Sequence, residues 1–315
     1  MAEAAASAAR ALVDLLDEAQ AGEALLPFDE EERRTWAYWP APRRGLPLWR
    51  LDRAQTKAVH RLLASLLPLP VHARVVAIMG LDEVLDRMEG YRGDRRHSED
   101  YWVTLFGGAG DEVWGVRFEG HHVSVHATFG PDSGSARLTP IFLGANPAVV
   151  HEAGRAVLAP LAVEERLGFE LLHSLSSEQR ADAIVADRAP DDILTRNRPR
   201  LDDSLPAQGV PLTALGGAAA VSAEALLDVY LGRFPAGALR PDPADARFCW
   251  AGATEPGTGH YYRVAGPRLV IELDNTQNGA NHVHTVVRHP LADFGDDVLA
   301  AHHRVAHGPP PGPGA

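Results

Sequence analysis

The chain has 315 residues, 45% of them hydrophobic, and a formal net charge of −12. That length supports a large buried core, while the acidity argues against non-specific nucleic-acid binding, whose affinity comes from a basic face that neutralises phosphates. With a single cysteine, Cys249, the chain holds no internal disulfide and no multi-cysteine zinc site.

Cys249 lies between Phe248 and Trp250 with no base beside it, so it reads as a buried thiol and not a nucleophile. No run reaches the roughly 18 apolar residues of a membrane span. The N-terminus mixes acids into an amphipathic pattern and lacks the form of a signal peptide. Cytoplasm is the expected compartment, with neither membrane nor nucleic acid as partner.

In chain order, residues 2–20, 52–66 and 81–90 pattern as helices, and strands are expected near 101–106, 112–118 and 121–129. In EVWGVRFEGHHVSVHATF the apolar parity switches near Gly120, as a glycine bulge would cause, aiming either His121 or His122 inward. Unbroken strand geometry would send those two histidines to opposite faces. Asn146-Pro147 has the form of a helix start, with helices at 147–157 and 161–174. Ser176 and Gln179 form a capping-box pattern for a helix at 177–187. Arg196 to Gly217 reads as an irregular excursion before a helix opened by Ser222. A last helix is expected from Asp293-Phe294-Gly295, with Asp296 and Asp297 at its start and His302 and His303 near its end.

The segment HYYRVAGPRLVIELDNTQNGANHVHTVVR, residues 260–288, reads as three antiparallel strands. Turns at Gly266-Pro267 and within Thr276 to Ala280 place Tyr261 opposite Glu272, Asp274 opposite His282 and Glu272 opposite His284. Tyr261, Arg263, Glu272, Asp274, His282 and His284 then share one face, and Tyr262, Val264, Leu269, Ile271, Leu273, Val283 and Val287 the other. The first face is either an ordinary solvated sheet face or a site. Neutral imidazoles and carboxylates on one side are ligands for iron, manganese or zinc.

The phrases WGVRFEGHH, TPIFLGANPA, LLHSLSSEQRADAI, the meander string and DFGDDVLAAHH together resemble an uncharacterised family of bacterial and fungal proteins, catalogued as a domain of unknown function. The resemblance runs from about Trp36 to His303 and implies one domain, with no activity to carry over. His121, His122, Glu272, Asp274, Asn275, Gln277, Asn278, Asn281, His282, His284, Arg288 and His302 match its pattern. His126 departs from it, standing where the family has a polar residue such as asparagine, and is left out of the candidate site. Val287 stands where the family has tryptophan.

The fold expected is α+β, a mainly antiparallel sheet with a C-terminal three-stranded meander packed by helices. One domain is expected over 1–308, followed by a disordered Pro/Gly tail at 309–315. The dinucleotide fingerprint, the P-loop and the GxSxG elbow are absent, and Asp293-Phe294-Gly295 has no accompanying kinase motifs. The leading functional expectation is a divalent-metal enzyme acting on a small polar substrate. His121, His122, Glu272, Asp274, His282 and His284 are the candidate ligands, with Tyr261 and Arg263 orienting substrate. The rival is a metal-free binding protein in which Asn275, Gln277, Asn278 and Asn281 bind by their amides and Arg263 or Arg288 pairs with an anion. A third reading makes those polar loop residues purely structural.

Overall fold

The computed structural model of the chain describes residues 1–29, 31–92, 96–130, 136–201, 205 and 207–296. Helices α1 (Ala2–Val13) and α2 (Glu18–Ala24) lead into strand β1 (Leu25–Leu26) and β2 (Leu46–Pro47). The single helix expected over 2–20 is divided because Asp17 caps a new one, its carboxylate accepting from the Gln20 backbone N–H in a complete capping box. Next come α3 (Arg53–Leu66) and α4 (Leu69–Met88), then the strands β3 (Tyr101–Phe106), β4 (Trp114–Gly120), β5 (Val123–Phe129) and β6 (Ile141–Ala145).

A small hairpin, β7 (Val150–Glu152) and β8 (Arg155–Leu158), stands where a helix at 147–157 was expected. The backbone N–H groups of Ala148 and Val149 are held by the Asn281 carbonyl and side-chain oxygen at 2.9 and 2.8 Å, and Ala153 and Gly154 take positive φ in the turn. The remainder is α5 (Ala162–Ser174), α6 (Ser177–Ala183), β9 (Ile184–Ala186), β10 (Val210–Pro211), α7 (Gly217–Leu231), β11 (Arg247–Gly252), β12 (His260–Gly266), β13 (Leu269–Asn275) and β14 (Val283–Arg288). The Ser176 capping box forms as expected, but α6 ends earlier and gives way to β9. Helix α7 starts at Gly217, not at Ser222. The last helix expected from Asp293 lies mostly outside the described residues, which hold a 3-10 turn at Asp293–Gly295; Asp297, His302, His303 and the tail are beyond them.

The fold is α+β. Ten strands run in the order β1-β3-β4-β5-β6-β14-β13-β12-β11-β10, with β2 added on β3 and β9 on β11. All pairs are antiparallel except β1 with β3 and β9 with β11. One face packs against the helices through a continuous apolar core that includes Leu143, Tyr262, Ile271, Leu273, Val283 and Val287. The opposite face of the meander is covered by chain from the N-terminal region and by the segment after β9, which contribute Trp36, Tyr38 and Ile193 around Phe142 and Val286. The polar face is therefore buried, not solvated. Strands β6 and β11 went unassigned from sequence because strands covered on both faces lack a period-two polarity pattern.

The meander register corrects the expected one by two residues at both turns. Tyr261 pairs with Asp274, Arg263 with Glu272, and Asp274 with His284. The first loop is Pro267-Arg268, since Gly266 still pairs with Leu269; the second spans 276–282, longer than tight closure assumed. A shift of two preserves the parity of the side chains, so the strand residues keep their predicted faces.

Candidate metal centre

His121 and His122 are the two-residue tip of the β4–β5 hairpin, with Gly120 paired to Val123. This tight turn, not a bulge, is what switches the apolar parity. His122 adopts φ +64°, a left-handed conformation that costs a non-glycine residue roughly 1–2 kcal/mol. The surroundings hold it there: His122 N–H donates to the Tyr38 carbonyl at 3.0 Å, and Gly144 N–H donates to the His122 carbonyl at 2.7 Å. Gly144 of β6 sits opposite His284 in the ladder. A Cβ at 144 would lie 2.9 Å from His122 Cδ2 and 3.0 Å from His284 Cδ2, so the missing side chain makes room for both rings.

His282 belongs to the long loop instead of the strand, and its N–H donates to Asn275 Oδ1 at 3.0 Å. These placements bring three imidazoles together. His282 Nε2 is 2.8 Å from His122 Nε2 and 3.0 Å from His284 Nε2. His122 and His284 are buried and His282 is half-buried. The other nitrogen of His284, Nδ1, donates to Asp192 Oδ1 at 2.8 Å, and Tyr38 Oη donates to Asp192 Oδ2 at 2.8 Å. A neutral His284 with its proton on Nδ1 directs a bare lone pair from Nε2 at the other two rings, the carboxylate–histidine arrangement that orients metal ligands.

Electrostatics favour the unprotonated form. Burial, then the neighbouring rings of His121, His284 and His282, pushes His122 well below the usual imidazole range. Burial and then His284 and His121 bring His282 down to about 3. Burial would raise Asp192, but hydrogen bonds from His284 and Tyr38 outweigh it and hold the carboxyl below its ordinary value. Asp274 is pushed up to about 8 by burial, against hydrogen bonds from Thr276 and with Asp192 and Glu272 adding to the rise.

The remaining candidates are distributed unevenly. His121 stacks on His122 at 3.7 Å between centroids but directs Nδ1 at Asp82 Oδ1, 2.6 Å away, so it lies beside the three-histidine cluster and not in it. Arg96 reaches both His121 ring nitrogens at 3.5 Å. Asp274 groups with Asp192 and His284. Glu272 is away from the three-histidine group: its carboxylate accepts from Leu194 N–H at 2.6 Å, Thr195 N–H at 3.1 Å, the Thr195 hydroxyl and Tyr261 Oη at 2.8 Å. It clamps the segment that delivers Asp192. Arg263, its ladder partner, is buried next to Cys249, whose thiol burial pushes up.

The amides are engaged internally. Asn275 donates to Glu165 at 2.8 Å, Gln277 to the Asp191 carbonyl at 3.4 Å and Asn278 to Asn146 at 3.1 Å, while Asn281 accepts from Val149. Arg288 is buried and donates to Asp293 at 2.7 Å and to the Arg198 carbonyl at 2.8 Å.

Sequence reasoning missed Asp192, Tyr38, Asp82 and Arg96. Asp192 sits in the turn-like APDD string, where nothing local separates it from exposed Asp191. No helix among the described residues is long and apolar enough to cross a membrane. No curated protein and no solved structure matches the chain. A family model does match, over residues 1–296, and the chain belongs to that family, DUF3500, described as a protein of unknown function.

Proposed function

We propose that His122, His282 and His284 bind one divalent transition metal and that the protein is a metal-dependent enzyme acting on a small polar molecule. The convergence of three Nε2 atoms carries this reading. With His284 protonated on Nδ1, a proton on His282 Nε2 satisfies at most one of its two short contacts well, whereas one cation accepts all three lone pairs. Iron, manganese and zinc all accept imidazole, with zinc the best match to a three-histidine set. Such a set leaves a coordination position for solvent or substrate, where a metal polarises a carbonyl or activates water.

In this reading Asp192 and Tyr38 orient His284, and Glu272 with Tyr261 holds the Asp192 segment from behind. His121, stacked on His122, and Arg96 beyond it lie beside the three rings. Arg96 also lines a polar recess of about 520 Å³ with Glu83, Asp86, Glu99 and Asp100, which none of the three histidines lines. The amide-lined binding reading loses support because Asn275, Gln277, Asn278 and Asn281 spend their hydrogen bonds inside the fold.

Metal analysis of protein purified without a histidine tag tests the proposal. At least one equivalent is expected in the wild type and none on the triad after His122→Ala. Under about 0.1 equivalent, with no uptake on titration by zinc, manganese or ferrous ion, rejects it.

A further inference from the structure

Asp274 and His284 are direct neighbours across the β13–β14 ladder, and Asp274 is fully buried. The Thr276 hydroxyl, 3.0 and 3.2 Å from its two oxygens, is its side-chain hydrogen-bond partner. Among the described residues no lysine or arginine pairs with it. Asp192 arrives from the covering segment, and one ligand atom from each of Asp192, Asp274 and His284 lies within 4.8 Å of the others. Asp192 is satisfied by His284 and Tyr38, but Asp274 has no countercharge among the described residues, and a buried carboxylate without one is costly to ionise. The donor set is also chemically distinct from the triad, being oxygen-rich and suited to manganese, magnesium or zinc.

We propose a second divalent-cation site made by Asp192, Asp274 and Nδ1 of His284, with the His284 ring bridging it to the triad. Loading replaces the Nδ1 proton, which leaves to solvent, so His284 becomes an imidazolate with one cation on each nitrogen. Metal–nitrogen distances of about 2.0 Å on either side of the ring put the two ions roughly 6 Å apart. The bridge rests on the triad reading, but the carboxylates give this site donors of its own.

Titration of the metal-free full chain with Cu(II) or Zn(II), followed by calorimetry, tests it. Wild type takes up two equivalents, Asp274→Asn one and His122→Ala one. Cu(II)-loaded wild type gives the electron paramagnetic resonance signature of a coupled pair, with lost intensity and a half-field line, and Asp274→Asn gives an isolated-copper spectrum. Saturation of wild type at one equivalent, unchanged by Asp274→Asn, overturns the second site and leaves the triad standing. No uptake at all overturns both. Wild-type stoichiometry and spectrum need no variant, so they decide the matter even if Asp274→Asn fails to fold.

Discussion

His122 and His282 are 160 residues apart, yet their Nε2 atoms lie 2.8 Å from each other. One sits at a hairpin tip and the other at the end of a loop, and β5, β6 and β14, adjacent in the sheet, bring those two ends together. The contact joins two parts of the sequence that are separately unremarkable, a histidine pair and an HxH string.

At the three-histidine site, Asp192→Asn should weaken metal binding roughly 10–100-fold without abolishing it, because it removes the group that fixes the His284 tautomer and ring orientation. Tyr38→Phe removes one hydrogen bond to the same carboxylate and should cost less, about 1 kcal/mol or roughly fivefold in affinity. Competition titration against a chromophoric chelator measures both. Equal affinities for wild type and Asp192→Asn would remove Asp192 from the centre.

Gly144→Ala should lower metal affinity roughly tenfold, since a methyl group there meets both His122 and His284 and overpacking costs about 1–3 kcal/mol. The same titration reads it, with circular dichroism to confirm the fold. A change confined to stability, with affinity intact, would mean that the rings relax without loss of geometry.

Glu272→Gln should destabilise the protein by about 1–3 kcal/mol, because an amide nitrogen cannot accept the bonds that Leu194, Thr195 and Tyr261 donate. Urea denaturation of the metal-free protein checks this. Asn278→Ala, at an exposed loop position, should stay within about 0.5 kcal/mol of wild type. A large loss of small-molecule binding in Asn278→Ala would instead revive the amide-lined reading.

Each buried histidine held below its ordinary value should cost the metal-free protein stability as pH falls below about 6.5, with an opposite contribution from Asp274, whose carboxyl, pushed up to about 8, keeps a proton that the unfolded chain has lost. His126 is buried, and burial followed by the charges of Arg117, Arg288 and Arg33 holds it well below its ordinary value. Above the unfolded value both states are neutral and the stability is complete. Below it the unfolded chain takes up a proton that the folded chain refuses, so each such histidine adds a slope of about 1.4 kcal/mol per pH unit. His126→Asn should remove one such increment, seen as a shallower dependence of urea midpoints between pH 6.5 and 5. An unchanged slope would show that His126 is not the group responsible.

Period-two alternation was enough to sort the meander. Tyr262, Ile271, Leu273 and Val283 lie in the helix-side core, while Glu272, Asp274 and His284 lie on the other face, because a strand's side chains alternate whatever the register. The exact pairing was not legible, since it depends on loop length, and the 276–282 loop is held open by bonds to residues 146–149 that no local pattern announces.

Local patterning likewise determined the α+β class, the Ser176 capping box and the polarity of the HxH strand, all consequences of chain neighbours acting on each other. Which of His121 and His122 joins His282 and His284 was decided by a turn with φ +64° at His122 and by the absence of a side chain at Gly144. The entry of Asp192 was decided by a covering segment clamped on Glu272. Those are long-range contacts: their free energy comes from burial and hydrogen bonding between segments that are not neighbours in sequence, 78 residues apart for Leu194 and Glu272 and 92 for Asp192 and His284, so only the folded arrangement specifies them.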